Sequence, residues 1–284
     1  HQLDGEVIPL QVIVVPDPLA VEEGQRIARE RNTLFRWSTK TADHIGVPVY
    51  PITRLARSVP EGIIDTAAEE ECNLVLMSWP IDEDSEEERV GSVLSRVARS
   101  ISSDVAVLAY RVDLETKSPE SSDQGDREEA DQNDWKKFQP KRILVPTAGG
   151  PHAPLAIQIA LVLAREYNAT VGSVYIAGEN ATEEQIETGE EQIQQSIRTM
   201  RSHAASLPSA GDDGNFFQEF EIEGEVYRAE SIVSGIIEAG KEYDLVMIGA
   251  SEESIIDQEL FGNLPEKVAM ESPSPVSYTH LTLP

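Results

Sequence analysis

Apolar runs and amphipathic stretches alternate along the second half of the chain. Residues 142–146 form an apolar run with the length of a buried strand, and residues 155–163 repeat apolar side chains at helical spacing. The same alternation predicts further strands at 171–176, 216–222 and 244–249, and further helices at 182–206, 229–241 and 263–271. Strands that alternate with helices predict an α/β fold, in which a parallel sheet carries crossover helices on both faces.

The first half repeats this order of elements. Its pattern predicts strands at 7–15, 47–52, 73–78 and 105–110, and helices at 20–45, 60–71 and 92–101. The run Asn73-Leu-Val-Leu-Met-Ser78 matches Asp244-Leu-Val-Met-Ile-Gly249 at an offset of 171 positions, and the same offset places Val105 on Val276. Because one register holds across several elements without a gap, the sequence indicates an internal duplication.

The duplication divides the chain into two domains joined by a linker. The counterpart of residues 141–167, one strand and one helix, is missing from the first half, so we expect the sequence to begin inside its first domain, residues 1–112. Residues 113–140 are polar, acidic and poor in aliphatic side chains, which predicts a disordered linker. The second domain then covers residues 141–276. Residues 277–284 resemble translated sequencing-adapter read-through and are predicted to be a non-native tail outside the fold.

Charge narrows the range of partners. The chain carries 23 basic and 51 acidic residues, a formal net charge of −28. Such a surface repels nucleic acid and anionic lipid, which are bound through Lys and Arg contacts to phosphate, so no nucleic-acid partner is expected. Acidic residues occur in both halves, which favours a halophilic protein adapted to high salt. No apolar run reaches the roughly 18 residues of a membrane-spanning helix.

The residues that could carry catalysis form no recognisable group. The single cysteine, Cys72, excludes an internal disulfide and favours a reducing, cytoplasmic compartment, and its apolar neighbours predict a buried structural thiol. The five histidines show no metal-ligand spacing, and the sequence has no Gly-x-Ser-x-Gly nucleophile elbow. We therefore predict no catalytic and no metal-binding residues, and we expect a protein that is not an enzyme.

Four segments of the second half carry a family resemblance. They are Ile143-Leu-Val-Pro146, Asp244-Leu-Val-Met-Ile-Gly249, Leu260-Phe-Gly262-Asn-Leu-Pro-Glu-Lys-Val268 and Ser274-Pro-Val276. With them the sequence resembles the universal stress protein family. The resemblance implies two doubly wound, Rossmann-like (HUP-type) domains with parallel strands in the order 3-2-1-4-5, the first without its N-terminal strand and helix. It also implies a ligand crevice at the carboxyl ends of strands one and four, and domains paired as an intramolecular pseudo-dimer or as a homodimer.

Nucleotide-binding members of that family carry Gly-x2-Gly-x9-Gly-Ser/Thr after strand four, where backbone N–H groups and a helix N-terminus contact phosphates. In the second half the spacing persists as Gly249-x2-Glu252-x9-Gly262-Asn263, with a carboxylate that would repel a triphosphate at the second glycine position. In the first half only Gly91-Ser92 remains of the motif, after an acidic loop at residues 82–88.

One set of residues is therefore predicted to bind a ligand. It consists of Thr147, Gly149, Gly150, Gly249, Ser251, Gly262 and Asn263 in the second half, and Gly91 and Ser92 in the first. Gly149-Gly150 can form a tight turn with N–H groups facing the crevice, or can simply end a strand before a helix that starts at Pro151. The ligand stays open between ATP or another adenine nucleotide, a dinucleotide without a γ-phosphate, and a cation held by the acidic loop.

A narrower resemblance concerns the setting of the tandem domains. The segment Val145-Pro-Thr-Ala-Gly-Gly-Pro-His152 and the pairing of two such domains resemble the cytoplasmic C-terminal regions of amino-acid permeases and cation–chloride-cotransporter-like carriers. That resemblance implies a non-catalytic regulatory or sensing module, attached to or associated with a membrane transporter. The alternative is a standalone tandem universal stress protein that binds adenine nucleotide in a stress response.

Overall fold

The structure is a computed structural model, and two compact units can be described in it. It describes residues 5–15, 35, 47–81, 87–111, 138–147, 153–206, 221–249 and 264–280. The first unit lies within residues 1–73 and 87–103, and the second lies within residues 74–81 and from residue 104 onward. Most of the predicted linker and nearly all of the predicted helix at 20–45 lie outside the described residues.

Among its described residues, the first unit contains a two-stranded parallel sheet and two helices. Its elements are β1 (Leu10–Val14), β2 (Ile52–Ala56), α1 (Val59–Glu69) and α2 (Glu87–Ser100). The strands pair with Leu10 opposite Ile52. Helix α1 begins after Ser58, whose side chain accepts a hydrogen bond from the backbone N–H of Glu61 at 3.3 Å and so satisfies one of the free donors of the first turn.

Strand β2 lies later in the chain than the predicted strand at 47–52. Pro48 and Pro51 stand in the predicted segment, and proline has no N–H to donate to a sheet ladder. The regular pairing therefore begins at Ile52 and runs to Ala56, where every residue can donate. Before it, only Val7 and Val49 form an isolated parallel bridge.

The second unit is built on a seven-stranded sheet. Its elements are β3 (Leu74–Ile81), β4 (Asp104–Arg111), β5 (Arg142–Pro146), α3 (Ala153–Tyr167), β6 (Thr170–Gly178), α4 (Glu183–Ser206), β7 (Ile222–Ala229), α5 (Ile232–Gly240), β8 (Leu245–Gly249), α6 (Leu264–Glu271) and β9 (Val276–His280). The strands lie in the order β3-β4-β9-β8-β5-β6-β7. Strands β5 to β9 therefore have the order 3-2-1-4-5 with parallel pairing, which confirms the fold predicted for the second half.

Helices cover both faces of this parallel part. On one face Ser173 of β6 hydrogen-bonds to Ser196 of α4 at 3.1 Å. Ile176, three residues further along the strand and therefore on the opposite face, packs so closely on Gly235 of α5 that a Cβ there would lie 2.5 Å from its Cγ2 atom. The sheet is thus doubly wound, as expected.

The main core lies between α3 and the central strands. Ile143, Val145 and Met247 from the sheet are at most 3% exposed and pack with residues of α3 such as Ala160 and Leu161, which are fully buried. Burial of an aliphatic side chain of this size stabilises the fold by about 1.5–3 kcal/mol. The alanines of α3 allow its backbone to approach the sheet closely.

Strand β7 differs from its predicted position. The apolar pattern predicted a strand at 216–222, but residues 216–220 lie outside the described residues and the observed strand is Ile222–Ala229. Its sequence contains Glu223, Gly224 and Glu225, and these residue types are not typical of a strand. Polar residues are tolerated here because β7 is an edge strand of the sheet.

The two halves of the sequence meet in one sheet. The prediction placed residues 73–78 and 105–110 in a sheet of the first domain, whereas β3 and β4 belong to the same sheet as the second half. Strand β4 pairs in antiparallel register with β9, with Val107 opposite Tyr278, so the edges of both strands find hydrogen-bond partners. The predicted domain boundaries at 112 and 141 stay a prediction.

The predicted tail lies partly inside this sheet. We expected residues 277–284 to lie outside the fold, but Ser277–His280 continue β9 between β4 and β8. The non-native origin of the segment stays a prediction, and residues 281–284 lie outside the described residues.

The sequence predicted a buried thiol at Cys72, but this residue is partly exposed. Its partial burial and the charge of Glu70 raise the pKa of the thiol.

Within the described residues no helix has both the length and the apolar character needed to cross a membrane. In the same part of the chain, no group of three or more His, Cys, Asp or Glu side chains could hold a metal ion.

Candidate functional site

The candidate site lies where the carboxyl ends of β5 and β8 meet. The two strands pair in parallel with Ile143 opposite Leu245 and Leu144 opposite Val246. Continued by three residues, this register places Thr147 level with Gly249, the last residue of β8. The backbone N–H of Thr147 donates to the carbonyl of Val174 at 2.8 Å, which fixes the end of β5 against β6. Two of the predicted ligand-binding residues are therefore brought together.

The other candidates of the second half are not described. Gly149, Gly150, Ser251, Gly262 and Asn263 lie outside the described residues, and so does Glu252. Helix α6 begins at Leu264, directly after the position of the predicted phosphate-binding Gly-Asn pair. Its free N–H groups therefore lie next to the segment that the motif predicts, although a helix N-terminus alone does not define a ligand.

Gly91 and Ser92 lie within helix α2 and not at its N-terminus. The predicted helix began at Ser92, which would leave the N–H groups of both residues free for phosphate. In the structure α2 begins at Glu87, and only the first four N–H groups of a helix lack an intrahelical partner. Residues 87–89, Glu-Glu-Arg, are good helix formers and extend the helix toward the N-terminus.

A buried polar pair lies close to the same end of the sheet. Thr279 of β9 pairs with Gly249 of β8, and Tyr278 pairs with Ile248. The side-chain oxygens of Thr279 and Tyr278 are both buried, and neither has a hydrogen-bond partner among the residues that the structure describes.

A titratable carboxyl group, that of Glu266, acts electrostatically on Tyr278. Glu266 lies in the first turn of α6, and burial raises its pKa to about 7. Burial also raises the pKa of Tyr278, and the charge of Glu266 adds to that rise. The first turn of a helix normally favours a carboxylate, so burial here outweighs the helix dipole. The site therefore holds an acid that changes charge near neutral pH.

Sequence reasoning missed Glu266, Tyr278 and Thr279. The last two lie in the segment that was excluded as a non-native tail, although a continued strand after Val276 would have placed Thr279 beside the end of β8. No pattern distinguishes Glu266 from the many other acidic residues, because its burial arises from the packing of α6 on the sheet.

Replacement of Glu266 by Gln is expected to stabilise the protein at pH 8 and to have little effect at pH 4.5. The native group binds its proton more tightly than the ordinary carboxyl, whose pKa is 4.5. Stability from this group is therefore present below pH 4.5 and is lost as the pH rises through about 7. Because the Glu266 carboxyl is only half-buried, we expect Glu266→Gln to raise the free energy of unfolding at pH 8 by about 1 kcal/mol. Urea unfolding of both proteins across this pH range measures the difference.

The matched control is Glu271→Gln. Glu271 lies at the exposed end of the same helix, and its replacement removes the same charge. The free-energy difference between Glu271→Gln and the wild type should not vary with pH in this way. Equal pH dependence in the two variants would show that the effect comes from net charge and not from burial of Glu266.

The fold defines a tandem α/β protein of the doubly wound, Rossmann-like class. Residues 1–109 and 140–279 match the family model of the universal stress proteins. The chain therefore belongs to the universal stress protein family, as its sequence motifs suggested. No relative is found among curated protein sequences.

Solved structures share the tandem fold. A universal stress protein from Archaeoglobus fulgidus DSM 4304 is 12% identical, with 96% of this chain and 86% of that chain covered and a TM-score of 0.57. A functionally unknown protein from Pseudomonas aeruginosa PAO1 is 15% identical, with 99% of this chain and 94% of that chain covered and a TM-score of 0.52. At this level of identity the similarity concerns the fold alone.

Proposed function

We propose that this chain is a non-catalytic regulatory module that senses a small ligand at the carboxyl ends of β5 and β8. The observation that carries the proposal is the position of β5 between β6 and β8. At such a point the crossover connections leave in opposite directions, and a crevice opens at the carboxyl edge of the sheet. Thr147 and Gly249 stand at this edge, one offering a hydroxyl and the other close backbone approach.

The ligand that we propose is an adenine nucleotide or dinucleotide without a γ-phosphate. The motif after β8 has Glu252 in place of a glycine, and Asn263 in place of a hydroxyl residue. A carboxylate near a triphosphate is repulsive by a few kcal/mol when partly shielded from water. The net charge of −28 acts in the same direction. A less charged ligand avoids much of this repulsion.

Titration calorimetry in high salt tests this proposal with ATP, ADP, AMP and cyclic dinucleotides. We expect micromolar binding of a ligand without a γ-phosphate and weaker binding of ATP. Glu252→Gly should tighten ATP binding by about tenfold or more, because it removes the repulsion and restores the glycine. Glu253→Gly removes the same charge one position away and should have a smaller effect. No binding of any of these ligands by the wild type and by Glu252→Gly would contradict the proposal.

The proposed partner is a membrane transporter of the amino-acid or cation–chloride type, with the module on its cytoplasmic side. What favours it is the resemblance of the segment Val145–His152 to the regions that follow such transporters. The alternative is a standalone tandem universal stress protein. The reading frame upstream discriminates between them, because apolar spans support the first and a nearby start codon supports the second.

The antiparallel β4–β9 ladder supports an intramolecular pseudo-dimer over a homodimer.

A further inference from the structure

Strands β6 and β7 extend further toward the carboxyl edge of the sheet than their neighbour β5. Strand β5 ends at Pro146, which pairs with Val174, whereas β6 continues to Gly178 and stays paired with β7 along this extension. From Val174 to Gly178 the extension measures roughly 13 Å, at about 3.3 Å per residue. The end of β6 and the loop that leads to α4, together residues 175–182, therefore stand beside the proposed ligand site. We call this segment the β6 wall.

An arginine of β7 holds the loop of the β6 wall. Nη1 of Arg228 donates to the carbonyl oxygen of Glu179 at 3.2 Å and to that of Ala181 at 3.1 Å. The backbone N–H of Ala181 in turn donates to the carbonyl of Gly178 at 3.0 Å. Hydrogen bonds from a charged guanidinium are stronger than those between neutral groups. Arg228 therefore fixes the course of the main chain between β6 and α4.

Two helix glycines show which strand residues correspond in the two halves of the chain. A Cβ atom at Gly62 of α1 would lie 2.6 Å from Cγ1 of Val12 in β1. In the second half a Cβ atom at Gly235 of α5 would lie 2.5 Å from Cγ2 of Ile176 in β6. The same close approach of helix to strand makes Val12 and Ile176 equivalent positions of the duplicated fold.

The first half holds the equivalent carbonyl with a different arginine. Val15 and Glu179 each lie three residues after the positions just matched, and are therefore equivalent as well. Nη1 of Arg57 donates to the carbonyl oxygen of Val15 at 3.0 Å. Arg57 follows the last residue of β2, whereas Arg228 lies within β7, so the two arginines occupy different positions in the duplication. The recurrence indicates that the duplicated fold requires this strand end to be fixed, whichever residue supplies the donor.

We propose that Arg228 is a positioning residue for the ligand site of the second half. It acts through the main chain of Glu179 and Ala181, and it holds the β6 wall in the conformation that a ligand at the ends of β5 and β8 meets. Without this contact the loop would occupy more conformations, and binding would have to order it at a cost in affinity. The inference rests on the proposed function, because it concerns the same site.

Three substitutions test this role. Arg228→Met keeps an unbranched side chain but removes the donors, and Arg228→Lys keeps a charged donor. Arg57→Met is the matched control, because it removes the same charge and the equivalent contact in the first half, also at an exposed position. Titration calorimetry in high salt measures binding of ADP, AMP and cyclic dinucleotides. Hydrogen–deuterium exchange of residues 179–182 reports the order of the loop without any ligand, and circular dichroism verifies folding.

We expect Arg228→Met to weaken the binding of whichever of these nucleotides the wild type binds most tightly by about fivefold to tenfold. Arg228→Lys should weaken it by no more than about twofold, because an ammonium group can still donate to both carbonyl oxygens. Arg57→Met should leave the affinity within about twofold of the wild type. Amide exchange at residues 179–182 should be faster in Arg228→Met and unchanged in Arg57→Met.

The outcomes separate this inference from the proposed function. Equal affinity of the wild type and Arg228→Met would overturn the positioning role and leave the proposed function intact. Equal weakening by Arg228→Met and Arg57→Met would also overturn it, because the effect would then come from charge or general stability. No binding by the wild type would contradict the proposed function, and unchanged amide exchange in Arg228→Met would separately overturn the role of Arg228.

Discussion

Replacement of Met247 by Ala is expected to lower the free energy of unfolding by about 2–5 kcal/mol. The Met247 side chain has no exposed surface and belongs to the core cluster beneath α3, together with Ile143 and Leu161. Its truncation removes buried apolar area and leaves a cavity that the rigid sheet cannot close. Denaturant unfolding in high salt, followed by far-UV circular dichroism, measures the loss.

The duplication provides a matched control for this substitution. Leu76→Ala truncates the corresponding side chain on β3, which is 70% exposed. Because this side chain is largely in contact with water, its loss should change the free energy of unfolding of the 284-residue chain by less than about 0.5 kcal/mol. Equal losses for Met247→Ala and Leu76→Ala would contradict the difference in burial between β8 and β3.

Replacement of Gly172 by Ala is expected to destabilise the protein by about 1–3 kcal/mol, through overpacking. A Cβ atom at this position of β6 would meet the ring of Tyr243, with 2.6 Å to its Cζ atom. The ring cannot move away easily, because the guanidinium of Arg142 lies 4.5 Å above its centroid and its hydroxyl donates to Glu223 at 3.2 Å. Arg142 and Glu223 are themselves joined by an ion pair of 2.7 Å.

A double-mutant cycle separates this clash from the loss of a flexible glycine. In a Tyr243→Ala background the added methyl group has space, so Gly172→Ala should cost less than about 1 kcal/mol. Gly178→Ala at the end of the same strand is the matched control, because a Cβ there meets nothing within 4 Å. If Gly172→Ala and Gly178→Ala have equal effects, contact with Tyr243 is not the cause. Thermal unfolding of the four variants and the wild type provides these comparisons.

The sequence predicted most of the second half of the fold, apart from the position of β7 and the end of β9. Apolar runs at 142–146 and 244–249 are buried strands in the structure, as β5 and β8. The alternation of strands and helices predicted the parallel sheet, and the family resemblance implied its order. The strands themselves follow from local patterns, because a strand buried on both faces must be apolar along its whole length.

The candidate site was predicted less completely. Thr147 and Gly249 come together because β5 and β8 are neighbours, which the resemblance implied. Glu266 was missed, because its raised pKa arises from burial and not from residue type. The N-terminus of α2 was also misplaced, because the pattern predicted a helix from Ser92 and the observed helix begins at Glu87.

The sequence by itself determined the order of the elements, the duplication, and the identity of the strands that a parallel sheet buries. Only the tertiary structure decided that β4 pairs with β9, and that Leu76 is exposed while Met247 is buried. Hydrophobic periodicity states which residues can be buried, and it is the same in the two repeats. Which strand or helix covers them depends on contacts between segments far apart in the chain, and no local pattern specifies those.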